Sequence, residues 1–132
     1  MAVGVTIDKV EYVGRWDYQP PIIDKPWILI SVYYTCTALM PLTKKSAKIK
    51  YHIELTHSRG VEGISAEVVL PIEPQHKLFV TSTGKFNISV VYNKNVTSNE
   101  KIHVKYTIKT EYPIGPFGKC MIPHVVEGEF EC

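Results

Sequence analysis

The segment Lys101-Ile102-His103-Val104-Lys105-Tyr106-Thr107-Ile108-Lys109 alternates apolar and polar residues without interruption. Successive side chains of a strand point to opposite faces, so Ile102, Val104, Tyr106 and Ile108 form a dry face, with Lys101, His103, Lys105, Thr107 and Lys109 on the wet one. The same period runs through Lys48 to Leu55 and Lys85 to Tyr92. Strands with one buried face belong to antiparallel sheets packed in layers, and no window of the chain carries the helical period.

Composition agrees with that reading. The chain has 132 residues, enough for one domain over residues 1–132 that buries its own core without metal or disulfide staples. Its apolar fraction of 45% supplies two facing sheet surfaces, and Val, Ile and eight Tyr dominate it, the β-branched and aromatic types that suit a pleated surface. A net charge of +2, from 15 basic and 13 acidic residues, gives no concentrated basic footprint, so nucleic acid is not an expected partner. The basic residues are almost all Lys; only Arg15 and Arg59 offer the forked geometry that reads phosphates and bases. No apolar run approaches the roughly 20 residues of a membrane-spanning helix. The opening Met1 to Asp8 lacks the basic and apolar regions of a secretory signal and reads as strand, so the chain is expected to be made in the cytoplasm or to be a trimmed mature form. Scarce Gln beside abundant Lys, Glu, Ile, Val and Tyr leans towards a thermophile.

Strands are expected at about Val3 to Val13, Pro26 to Thr37, Ala47 to Thr56, Ile64 to Ile72, Lys77 to Thr81, Lys85 to Asn93, Lys101 to Glu111 and Val125 to Cys132. The apolar parity of the first shifts near Asp8, which predicts a bulge or a change of sheet. Gly60 to Gly63 reads as a turn, and Pro71 marks an edge position or a strand end. These seven to eight short strands predict an antiparallel β-sandwich of the immunoglobulin or fibronectin-III kind, with a jelly roll or small barrel as alternatives. The resemblance to the immunoglobulin class is one of architecture. Tyr34-Thr35-Cys36 lies in the second strand, the Cys-Trp-Cys order is missing, and no functional residue is carried over.

No catalytic motif, phosphate loop or metal-ligand spacing stands out, so no enzyme activity, cofactor or metal is expected. His52 and His103 both fall on wet faces, where cross-strand adjacency would bring two imidazoles together. Cys36 continues the inward series Ile28, Ile30, Val32, Tyr34 and reads as a buried thiol. Cys120 and Cys132 are a candidate disulfide, with free thiols as the alternative. Asn87 and Asn95 open N-x-[ST] sequons and are candidate glycosylation sites.

Candidate interaction residues fall in three groups. Trp16 and Tyr18, beside Arg15 and Asp17, suit either a partner contact or a plug over the sandwich end. Glu127, Glu129 and Glu131 form an acidic row that complements Lys101, His103, Lys105 and Lys109, within one sheet or between subunits. Ile114, Phe117 and Met121 make the Pro/Gly-rich stretch before that row unusually apolar for a loop. The expected function is therefore a non-catalytic structural or assembly protein: a virion component such as a capsid accessory, tail or nozzle subunit, or a surface filament subunit of a thermophilic archaeal system. Its partners would be protein subunits and its place a virion or cell surface, with the cytoplasm as an alternative. The competing expectation is an extracellular module that binds carbohydrate or a receptor protein.

Overall fold

Alternation converts directly into strands. A computed structural model describes residues 4–39, 44–74, 76–111, 113–114, 119–120 and 124–132. It contains β1 (Gly4–Trp16), β2 (Trp27–Leu39), β3 (Lys45–His57), β4 (Gly60–Ile72), β5 (Phe79–Val91) and β6 (His103–Glu111). A small hairpin, β7 (Pro113–Ile114) with β8 (Lys119–Cys120), precedes the last strand, β9 (His124–Glu131). The long strands form two antiparallel sheets, β1-β2-β5 and β4-β3-β6-β9. The fold is a β-sandwich of seven long strands in two separate sheets. Unlike the constant-type immunoglobulin arrangement, the fourth strand joins the third and leaves the opposite sheet three strands wide.

The core is the set of inward residues. Ile28, Ile30 and Val32 of β2 face Ile49, Ile53 and Leu55 of β3, and Val104 and Ile108 of β6 and Ile88 and Val90 of β5 complete the layer. Each such side chain contributes roughly 1.5–3 kcal/mol by leaving water. The parity break near Asp8 is a register shift between Ile7 and Lys9, and a second shift falls between Tyr12 and Gly14.

The structure corrects two boundaries and one pairing. Gly60 to Gly63 is not a turn but the start of β4; the turn is the two-residue Ser58-Arg59, because Gly60 takes the positive φ of 119° that closes it. The segments at Lys77 and Lys85 are one strand, since Thr81 to Gly84 pair continuously with Tyr34 to Thr37 despite their weak apolar pattern. His103 stands across from Thr56 and His52 across from Thr107, so the two imidazoles are not neighbours.

Candidate functional site

One long side of the sandwich is closed by β1 and β9. Arg15, whose side chain is only 8% exposed, is its hub. The guanidinium donates to Asp17 Oδ1 at 2.8 Å and to the carbonyls of Glu100 at 2.6 Å, Cys132 at 3.1 Å and Thr97 at 2.9 Å. It thus ties the end of β1 to the β5–β6 crossover and to the residue after β9. Burial opposes its charge, but the bonds to Tyr92 and Asp17 outweigh that and hold it charged. Tyr92 Oη donates to the same Asp17 oxygen at 2.7 Å, and burial followed by that bond pushes the phenol above its ordinary pKa. Tyr12 packs on Phe130 at 5.4 Å, and the buried Thr110 hydroxyl of β6 donates to the Val5 carbonyl of β1 at 2.9 Å.

The outer face of the four-stranded sheet carries both charge rows. β6 and β9 are adjacent, with His103 across from Glu131, Lys105 across from Glu129 and Thr107 across from Glu127. His103 Nε2 lies 3.1 Å from Glu129 and Lys101 Nζ lies 3.9 Å from Glu131, so the rows complement each other within one sheet. Lys109 stands apart, flanked by Lys50 and Val125 rather than by an acid. At the near end of the sheet, His57 Nδ1 accepts the Arg59 N–H at 3.0 Å, which leaves its proton on Nε2, facing Glu62. Glu62 in turn accepts the Asn93 N–H at 2.9 Å and holds the β3–β4 hairpin to the crossover.

Trp16 does not plug the end of the sandwich. Strand parity turns it onto the outer face of the three-stranded sheet, where its ring meets Trp27 edge-on at 4.7 Å. Ile22 and Ile23 flank the pair across a shallow hollow, and Ile22 is 79% exposed. Tyr18 is partly exposed, with Lys94 over its ring at 5.8 Å. Asn87 is an outward residue of β5 whose Oδ1 accepts the Ser31 hydroxyl at 2.7 Å, and Asn95 lies exposed in the crossover. Cys36 is buried, which pushes its thiol above the usual pKa. Phe117, Met121 and the side chains of Ile114 and Cys120 lie outside the described residues, and with them the candidate disulfide to Cys132.

The opposite long side is open. There the edge strands β4 and β5 leave a cleft of about 320 Å³ between the sheets. Tyr34, Cys36 and Ala38 of β2, Val80 and Ser82 of β5, and Leu70, Pro71 and Ile72 of β4 line it, with Glu73 at its rim. Inward residues of β5 change character along the strand accordingly: Ile88 and Val90 are buried, whereas Ser82 is exposed. Exposed Leu78 and Phe79 lie at the same end.

Of the four edges of the two long-stranded sheets, β5 is the least guarded among the described residues. Along β1 two bulges interrupt the edge, β4 carries Pro71, and β9 presents three glutamates. β5 pairs with β2 through thirteen consecutive residues without a shift and carries one charge, Lys85. Sequence reading missed both the cleft and this edge. The available signal was the run Thr81-Ser82-Thr83-Gly84, where inward positions lose their apolar character. The chain matches no protein-family model, no curated protein and no solved structure.

Proposed function

We propose that this protein is a non-catalytic assembly subunit, either a virion component such as a capsid accessory, tail or nozzle subunit, or a subunit of a surface filament. The observation that carries the reading is the β5 edge, unpaired among the described residues, beside the apolar cleft. A long, regular, nearly uncharged edge is a template for further pairing, and adjoining apolar surface adds the drive to cover it. The Gln-poor, Lys- and Glu-rich composition fits a thermophilic host. Light scattering and electron microscopy of native material test the proposal. Rings, filaments or a discrete oligomer are expected, and a protein that stays monomeric at high concentration without co-purifying partners would sink it.

A second reading, an extracellular module for carbohydrate or a receptor, draws on exposed Ile22 beside the Trp16–Trp27 pair and on the two sequons. The readings compete at one position. A glycan on Asn87 would cover the outer face of β5 and obstruct pairing there. Mass spectrometry of native protein separates them: unmodified Asn87 and Asn95 count against the secreted module.

A further inference from the structure

Taking the assembly reading as its starting point, we infer that β5 pairs antiparallel with β5 of a second copy about a two-fold axis at Gly84, joining two three-stranded sheets into one of six strands. A symmetric antiparallel pair places one residue opposite itself, and that residue fixes the whole register. Lys85 is unsuited, because like charges directly across strands repel. Gly84 brings no side chain to the axis; on its inner side the Tyr34 ring of the neighbouring strand already covers it.

The register that follows keeps the Lys85 charges of the two copies apart. Lys85 comes opposite Thr83 of the second copy, Asn87 opposite Thr81 and Ser89 opposite Phe79, so the outer face opposes no two charges. On the inner face Ser82 comes opposite Phe86 and Val80 opposite Ile88. Val80 and Ser82 are the β5 residues that line the cleft, so each copy's Phe86 and Ile88 arrive at the open side of the other. The pairing covers the apolar surface that the three-stranded sheet leaves uncovered, and no segment has to leave its own sandwich.

Thr83 and Lys85 are exposed, so their charge can be changed without disturbing the core. Sedimentation and light scattering over a concentration series, on wild type, Thr83→Lys, Thr83→Glu and the double variant Thr83→Lys/Lys85→Glu, read the register. Two symmetry-related lysine contacts in Thr83→Lys are expected to weaken association roughly tenfold, and two new ion pairs in Thr83→Glu to strengthen it severalfold. The double variant restores two opposite-charge contacts and is expected to associate about as tightly as Thr83→Glu, and circular dichroism confirms that each variant folds. Oligomers indifferent to charge at position 83 would overturn this pairing and leave the assembly reading standing. A wild-type protein that is monomeric throughout the series would overturn both.

Discussion

The two long sides of this sandwich are built from similar strands and finished in opposite ways. Along β1 and β9 the sheets are stitched together by Arg15, Thr110 and the Tyr12–Phe130 contact. Along β4 and β5 the bond from the Asn93 N–H to Glu62 ties the sheets at the hairpin end, and towards Leu70 and Val80 they part around the cleft. The difference comes from strand count. A sheet of three strands over one of four covers one long side fully and leaves the other short of a strand. Stability is thus concentrated on one side and unsatisfied surface on the other.

The largest expected break in that comparison is Arg15→Ala. It removes the donor for three carbonyls and leaves Asp17 with Tyr92 but without its cation, and loss of one partner from such a buried charged cluster costs about 3–5 kcal/mol. Urea denaturation checks it. Arg15→Lys is expected to recover only part of the loss, because a single ammonium cannot reproduce the fork.

A smaller effect compares two glycines, each beneath a tyrosine from the next strand: Gly128 under Tyr106 on the closed side, Gly84 under Tyr34 on the open side. A methyl group at either position collides with the ring. Each ring has an aromatic neighbour, Phe130 at 6.4 Å from Tyr106 and Phe86 at 6.2 Å from Tyr34, but only Tyr34 also borders the cleft. Gly128→Ala is therefore expected to cost about 1–3 kcal/mol, and Gly84→Ala less than half as much, because its ring has room to move. Equal losses in thermal melts would mean that the cleft offers no such room.

The gentlest probe is pH. Burial raises the thiols of Cys36 and Cys132 and the phenol of Tyr92, so the folded protein holds these protons at a pH where the unfolded chain has released them. Their contribution is fully present below the unfolded pKa values and is lost as pH rises, from about 8.5 for the thiols and about 10 for the phenol. Denaturation midpoints are expected to be flat through neutrality and then to fall. Cys36→Ala should blunt the first part of the fall and Tyr92→Phe the second. A midpoint that rises above pH 9 would contradict this assignment.

Much of the fold was legible because burial on one face of a strand leaves a period-two record. Ile102 to Ile108, Ile49 to Leu55 and the buried Cys36 all lie where parity put them. The parity break near Asp8 likewise announced a bulge. Where the record failed, the reason was local. Val80, Ser82 and Gly84 line or border an open cleft and needed no uniform apolar series, so β5 read as two strands. Trp16 suited a plug and a contact equally, because parity through two bulges in β1 cannot be counted from outside. The hub role of Arg15 left no trace in the sequence, since all three of its carbonyl partners lie more than eighty residues away.

The sequence by itself determined the sandwich, its core residues and the presence of two complementary charge rows. These follow from side-chain type at alternating positions, which adjacent residues suffice to specify. Only the tertiary structure decided that the charge rows meet inside one sheet, that Arg15 locks one side, and that β5 is an edge strand beside a cleft. Those are matters of which strands become neighbours, and neighbours are chosen by contacts between residues distant in sequence, for which no local pattern keeps a record.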